Sequence, residues 1–214
     1  MTSSRRTLIA FAATLSTAWL LGAEVGAADE IDVLLDKISK ARAKLRTLQA
    51  PFKQIRAIGL LASKVESNGQ LTLVLPNRLR WDLAAPDSVT YWIGPEGLTL
   101  RNDEGVSKLG KASAGRFAAV LGDLLIMLGG DVRKLRKRYL LELSNEDGKT
   151  VLSAKPLAKA VAKQIVLLSL RLAGEEGWVD RVEIREKNGD KSIIALGKLT
   201  KNAAVPDEVI KPPD

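Results

Sequence analysis

The chain has 214 residues with no cysteine and no histidine, and 46% of its residues are hydrophobic although only 4% are aromatic. These compositions exclude disulfides, zinc fingers, nucleophiles activated by histidine and the acylated cysteine of a lipoprotein anchor. The formal net charge of +8 raises nucleic acids and anionic membranes as candidate partners.

The first 28 residues have the pattern of a cleaved secretory signal peptide. Arg5 and Arg6 precede an apolar stretch over 7–21, which is shorter than the roughly 20 residues of a membrane-spanning helix, and small residues follow up to Ala28. A twin-arginine export signal stays open, as does retention of the segment as a membrane anchor. We expect residues 29–214 to form a single periplasmic domain, which makes nucleic acid an unlikely partner.

The first half of this domain is predicted to be one helix followed by strands. Residues 29–48 carry apolar side chains at helical spacing, and Pro51 is expected to punctuate the chain after them. From Phe52 onward the apolar period changes to two, which indicates strands joined by polar turns. The predicted strands cover 52–62, 71–75, 79–83, 89–93 and 98–101, with one turn at Asn68-Gly69.

The second half begins with a helix and returns to strands. Helical spacing over 113–128 ends at Gly129-Gly130, since glycine is common just after a helix. Asp147-Gly148 and Asn188-Gly189 are hairpin signals between the later strands. Those strands are predicted at 139–143, 149–152, 164–172, 179–186 and 192–199, and an extended, mobile tail follows at 205–213.

Signatures of catalysis are missing from the sequence. It contains no Walker A pattern, no glycine-rich dinucleotide motif after a strand, no nucleophile elbow and no Ser-x-x-Lys pair. The acidic pairs at 103–104 and 175–176 lie beside glycines, which is typical of solvated loops. We therefore expect no enzyme, no cofactor and no metal.

The strongest run of charge follows the central helix. It can be a solvated connection, or a docking patch for anionic lipid headgroups or an acidic partner. The run has almost no aromatic residues between its charges, which argues against single-stranded nucleic acid. Its members are Arg133, Lys134, Arg136, Lys137 and Arg138.

The aliphatic strands and two apolar helices together predict a lipid-sized interior. A sheet that curls and is capped by helices encloses an apolar space, which suits acyl chains. Burying a chain of ~16 carbons gains roughly 12 kcal/mol before entropic costs, at about 0.8 kcal/mol per methylene. The alternative is that the same side chains simply fill a packed core.

Several segments resemble the LolA family of periplasmic outer-membrane lipoprotein carriers. Phe52-Lys53-Gln54 matches a F-x-Q motif, and residues 69–81 match the pattern G-x-L-x-[ILV]-x-[KR]-P-N-x-[FL]-x-W except at one position. Pro86-Asp87 and the closing segment 207–213 are also similar to the family. The order of helix, strands, central helix and strands extends the resemblance over the whole mature chain.

The resemblance implies a mainly β (α+β) fold, a half-open antiparallel β-barrel with a helical lid over an apolar cavity. It implies a monomer that receives a lipoprotein from an inner-membrane ABC transporter, shields the acyl chains and delivers them to an outer-membrane acceptor. The candidate cavity and lid residues are Leu71, Leu73, Leu75, Leu79, Trp81, Leu83, Phe117, Leu121, Leu124, Leu125 and Leu128.

One departure from the family pattern concerns the lid. Where the family has a basic residue directly before Pro76-Asn77, this chain has Leu75. In the family that residue is associated with opening and closing, so the cargo here can be another envelope lipid, such as a glycolipid. A sensor that recognises lipid or protein on a similar half-barrel is the alternative function.

Overall fold

The computed structural model describes residues 27–59, 63–110 and 122–213. Within them one sheet of twelve antiparallel strands runs in the order β6-β5-β4-β3-β2-β1-β11-β10-β9-β8-β7, and β12 pairs with β1 beside β11. The sheet is open, with β6 and β7 at its edges, which confirms the mainly antiparallel, half-open architecture. The strands are β1 (Thr47–Ile58), β2 (Ser63–Val74), β3 (Arg78–Leu83), β4 (Val89–Gly94), β5 (Gly97–Asn102), β6 (Gly105–Gly110), β7 (Tyr139–Glu146), β8 (Lys149–Pro156), β9 (Ile165–Ala173), β10 (Trp178–Glu186), β11 (Lys191–Leu196) and β12 (Thr200–Lys201).

Helical segments precede β1, connect β6 to β7 and β8 to β9, and follow β12. Residues 1–26, which hold most of the predicted signal peptide, lie outside the described residues, as do residues 113–121 of the predicted central helix. The helices are α1 (Ala27–Arg42), α2 (122–128), a 3-10 helix (Val132–Lys137), α3 (Lys159–Ala162) and α4 (Asp207–Ile210).

The predicted helix over 29–48 is too long at its carboxyl end. Helix α1 ends at Arg42, and β1 already begins at Thr47. Leu48 satisfies helical spacing from α1, but it also starts the strand alternation that continues through Ala50 and Phe52, all three of which are buried. Pairing with β2 from Thr47 onward decides in favour of the strand.

Pro51 lies inside β1 rather than ending an element. Strand β12 pairs with residues 48–49 and β11 pairs from Phe52 onward, so Pro51 falls where the ladder passes from one partner to the other. Its carbonyl still accepts a hydrogen bond from Gly197 N at 2.8 Å. A proline lacks the N–H donor, and this gap in the ladder is where that loss costs least.

The predicted turn at Asn68-Gly69 is also wrong, because both residues lie within β2. A Cβ built on Gly69 would meet the ring of Phe52 at 2.3 Å and the carbonyl of Asp82 at 2.0 Å. The glycine therefore provides room for an aromatic ring on the neighbouring strand, and its local sequence only mimics a hairpin. The hairpin at Asp147-Gly148 is confirmed, with φ of 51° and 75°.

The carboxyl-terminal segment packs on the outer face of the sheet instead of forming a mobile tail. Ile210 of α4 is 4% exposed. The carbonyl of Val209 accepts hydrogen bonds from the Arg80 guanidinium at 2.8 Å and the Trp92 indole at 3.2 Å. The hydrophobic anchor and two donors hold this end against β3 and β4.

Candidate functional site

The inner face of the sheet carries a continuous apolar surface. Because residues paired across antiparallel strands point to the same side, the β1–β5 registers define rows of side chains across this face. The row nearest the helices is buried, with no member more than 9% exposed. It consists of Leu48, Leu73, Leu79, Ile93 and Leu98.

Burial declines along the same face away from the helices. In the next row Leu71 is fully buried and Trp81 is 6% exposed, whereas Tyr91 is half-buried. Leu83 is half-buried one row further on, beside the stacked rings of Phe52 and Trp81, whose centroids are 4.2 Å apart. The inner face therefore grades from packed core to a partly open apolar surface.

The far end of the inner face becomes polar. Arg56 and Val65 pair near the far end of β1 and β2 on this side, and both are exposed. Arg56 donates to Asp190 at 3.0 Å, and Ser67 hydrogen-bonds Asp87 close to Tyr91. A molecule lying along this face would contact aliphatic side chains at the end beneath the helices and charged groups at the open end.

Two helices cover the apolar end of the face. Helix α1 buries Ile31, Leu35 and Ile38, which lie four and three residues apart on one side of the helix. Helix α2 buries the predicted lid residues Leu124, Leu125 and Leu128, each at most 5% exposed. All six side chains belong to the same hydrophobic cluster as the inner row of the sheet.

The sequence-predicted site residues thus fall into three groups. Leu71, Leu73 and Leu79 are fully buried beneath the helices, whereas Trp81 and Leu83 lie nearer the open end. Phe117 and Leu121 lie outside the described residues. Sequence reasoning did not select inner-face residues of the second half of the sheet, although their period of two was recognised. They include Leu152, Leu168, Leu170, Val182 and Ile194.

Leu75, which replaces the family's basic residue, contacts the carboxyl end of α2. A Cβ built on Gly129 would lie 3.0 Å from Leu73, 3.5 Å from Leu45 and 3.7 Å from Leu75. Glycine therefore lets the end of α2 sit close on these three leucines. The contact at Leu75 is purely apolar.

A buried arginine instead reaches the end of α2 from the opposite side. Arg42, the last residue of α1, is 4% exposed and donates to the carbonyl of Met127 at 2.8 Å and to that of Gly177 at 3.4 Å. Its guanidinium lies 5.4 Å from the centre of the Trp178 ring. Burial lowers the pKa of Arg42 to about 10. A cation at the carboxyl end of a helix complements the helix dipole, so Arg42 ties α1, α2 and the 174–178 turn together.

A buried carboxylate anchors α2 near its first described residues. Asp123 is fully buried, forms an ion pair with Arg138 at 2.7 Å and accepts a hydrogen bond from the Tyr139 hydroxyl. Burial raises the pKa of Asp123, and the contacts with Tyr139 and Arg138 oppose that rise. Burial and the neighbouring carboxylate raise the pKa of Tyr139. Buried polar groups therefore hold α2 both at Asp123 and at its carboxyl end.

Most of the basic run predicted as a docking patch takes part in structural ion pairs. Arg133 pairs with Asp131 at 2.8 Å, and the contact lowers the pKa of that carboxyl to about 2. Arg136 pairs with Asp32 of α1 at 2.8 Å, and Arg138 holds the buried carboxylate on α2. Lys134 and Lys137 are exposed and make no ion pair with any residue that the structure describes. These two lysines are therefore the members of the run that no described carboxylate neutralises.

Within residues 27–59, 63–110 and 122–213, the helices are too short or too polar to span a bilayer. The same residues contain no cluster of three or more acidic side chains suited to a metal ion.

Comparison with known protein families finds a match over most of the chain. The model of the outer membrane lipoprotein carrier protein LolA matches residues 43–212. The chain is 25% identical over 199 residues to the outer-membrane lipoprotein carrier protein of Pseudomonas putida KT2440, covering 92% of this chain and 91% of that one. It is 23% identical over 198 residues to the protein of the same description from Pseudomonas entomophila L48, covering 92% and 91%.

Solved structures agree at the level of the fold. A chain from the complex of MucA and MucB of Pseudomonas aeruginosa superimposes with a TM-score of 0.50 at 14% identity. The match covers 86% of this chain and 61% of that longer chain. Because the family model matches residues 43–212, which is most of the chain, the chain belongs to the LolA family of outer membrane lipoprotein carrier proteins.

Proposed function

We propose that this protein is a periplasmic carrier that holds the acyl chains of a lipoprotein, or of a related envelope lipid, against the inner face of its sheet. The observation that carries the proposal is the grade of burial along that face. Leu71 and Leu73 are closed off by the helices, whereas Leu83 and Leu100 stay partly accessible to a chain entering from the open end. The carrier descriptions of the family and of its relatives support the same role.

The carrier would move lipid from the inner to the outer membrane without covalent chemistry. Each methylene buried gains about 0.8 kcal/mol, so an acyl chain that displaces the lid from the inner face gains affinity with its length. Release requires the lid to return and re-cover the same leucines. An inner-membrane ABC transporter and an outer-membrane acceptor are the partners that this role requires, and the exposed side chains of Lys134 and Lys137 are candidates for docking to them.

The first test is native mass spectrometry of protein purified from the periplasm, with extraction of its lipids. The proposal expects a stoichiometric acylated species, whose mass identifies the cargo. A lipid-free protein that also fails to take up a fluorescent fatty acid would contradict the carrier role and favour the sensing alternative. The same experiment identifies the mature amino terminus and so tests cleavage after Ala28.

A matched pair of variants then locates the site. Leu83→Asp places a charge on the partly open inner face, whereas Leu140→Asp places one on an outward position of β7 that is already 53% exposed. We expect Leu83→Asp to weaken fatty-acid binding at least tenfold and Leu140→Asp to leave it unchanged. Leu73 and Leu124 are poorer probes, because both are fully buried and a charge there would unfold the domain. Equal binding by both variants would refute the assignment of the inner face.

A further inference from the structure

The outer face of the sheet, opposite the lipid face, contains a polar hollow. It lies across β8–β11 and has a volume of about 270 Å³. This is near the lower end of the range for small-molecule sites, so it fits a headgroup-sized ligand rather than an acyl chain. The carrier role proposed above does not use it.

The hollow is lined by more cations than carboxylates. Four cationic side chains line it, Arg171, Arg181, Arg185 and Lys191, against the two carboxylates of Glu146 and Glu183. Arg171 is neutralised from outside the hollow by Asp180 at 2.7 Å, but Asp180 also pairs with Lys149 at 2.8 Å. The positive surplus therefore persists when these neighbours are included.

One carboxylate forms ion pairs with three of these cations. Glu183 is 13% exposed and lies 2.7 Å from Arg185, 2.9 Å from Lys191 and 3.8 Å from Arg181. Burial alone would raise the pKa of Glu183, but the hydrogen bonds from Lys191 and Arg185 bring it below the ordinary value. A single negative charge cannot neutralise three cations, so a second anion is favoured beside it.

Arg181 supplies the free donors for that anion. Its 3.8 Å contact with Glu183 is too long for a hydrogen bond, and no other ion pair within the described residues involves it. Its side chain is 37% exposed, and that of Lys191 is 38% exposed, so both are partly desolvated and still accessible. The planar guanidinium matches the geometry of phosphate oxygens, and the Ser169 hydroxyl lies in the same hollow.

We propose that this hollow binds a phosphate group, with the Arg181 guanidinium as its principal donor and Arg185 and Lys191 beside it. Glu146, at the exposed end of β7, is the repulsive group that limits affinity. The phosphate can belong to a soluble anion or to a lipid headgroup, and both present the same oxygens. In the second case the outer face of the sheet touches a membrane surface while the inner face holds the cargo.

The test is a titration of the mature protein with pyrophosphate at constant ionic strength, followed by calorimetry. Arg181→Gln should weaken binding at least fivefold, and Glu146→Gln should strengthen it about threefold. Lys108→Gln removes an exposed cation on the outer face of β6, remote from the hollow, and should leave the affinity unchanged. Thermal unfolding of each variant verifies that the fold is retained.

A second arm identifies the source of the phosphate. Wild-type protein and Arg181→Gln are sedimented with phosphatidylglycerol vesicles and with phosphatidylcholine vesicles. Loss of phosphatidylglycerol binding in Arg181→Gln assigns the hollow to headgroups, and pyrophosphate binding without vesicle binding assigns it to a soluble anion. Equal pyrophosphate affinities for wild type and Arg181→Gln, or an equal loss in Lys108→Gln, would overturn the proposal.

Discussion

Replacing Arg42 with methionine tests whether the buried guanidinium holds the lid. Methionine keeps the apolar stem and removes the donors to the carbonyls of Met127 and Gly177. Those carbonyls lie at the carboxyl end of α2 and in the turn before β10. The variant therefore loosens two contacts of α1 without opening a large cavity.

The expected magnitude follows from opposing contributions. Burial lowers the pKa of Arg42 from 12.5 to about 10, which at about 1.4 kcal/mol per unit is a cost of roughly 3 kcal/mol. Two charge-assisted hydrogen bonds contribute about 2 kcal/mol each, and the contact with Trp178 about 1 kcal/mol. The wild-type arginine is thus favoured by roughly 1–2 kcal/mol, which corresponds to a decrease in Tm of about 2–8 °C in a domain of this size.

Two measurements check this value. Thermal unfolding measures the loss of global stability. Hydrogen exchange at residues 122–128 should accelerate by about 5–30-fold if the lost stability is concentrated in α2. Arg46→Met is the matched control, because Arg46 is exposed and only four residues away. An Arg42→Met variant as stable as Arg46→Met, with unchanged exchange in α2, would refute the assignment of Arg42 to the lid.

Two further predictions concern the same helix. Burial raises the pKa of Asp123 above 3.8, so the contribution of Asp123 to stability is greatest at acid pH and declines as pH rises through the raised pKa. In urea titrations the unfolding free energy of wild type relative to Asp123→Asn should therefore fall between pH 3.5 and 7.5. A difference that rises with pH would show that the sign is wrong. Leu75→Arg places a second cation near the carboxyl end of α2. It should change the release rate of a bound fluorescent fatty acid several-fold and alter the unfolding free energy by less than about 1 kcal/mol. A loss of stability with an unchanged release rate would contradict a role at the lid.

The fold could be predicted from the sequence wherever one periodicity dominated. The alternation through Leu79, Trp81 and Leu83 defined β3 correctly, and Asp147-Gly148 defined a hairpin. Prediction was wrong where a residue satisfied two patterns at once. Leu48 fits both a helix and a strand, and Gly69 is required by the ring of Phe52 on the neighbouring strand, which no local pattern records.

The sequence predicts which strand residues face inward, but it does not predict the buried polar contacts of the helices. Apolar residues on the inner face follow from alternation, because a period of two assigns each strand residue to a face. The sequence places Arg42 only within the predicted helix over 29–48, since its burial depends on α2 and the turn before β10, far away in sequence. Asp123 was hidden within an otherwise apolar stretch for the same reason.

The way in which α2 is fastened bears on how a carrier can both bind and release. Apolar packing of Leu124 and Leu128 favours the state in which α2 covers the inner face. An acyl chain that replaced α2 there would bury a similar apolar surface, so the free energies of apolar burial by the helix and by the chain would be nearly equal. An acyl chain cannot replace the polar contacts of Arg42 and Asp123, because it has neither carbonyl acceptors nor hydrogen-bond donors. In the proposed open state water would hydrogen-bond both groups, at a net cost of about 2 kcal/mol for each charge-assisted hydrogen bond that is exchanged. If the proposed carrier role holds, we therefore expect these few buried polar contacts to set the balance between cargo and lid, and their removal to shift the affinity for lipid without changing the apolar surface that receives it.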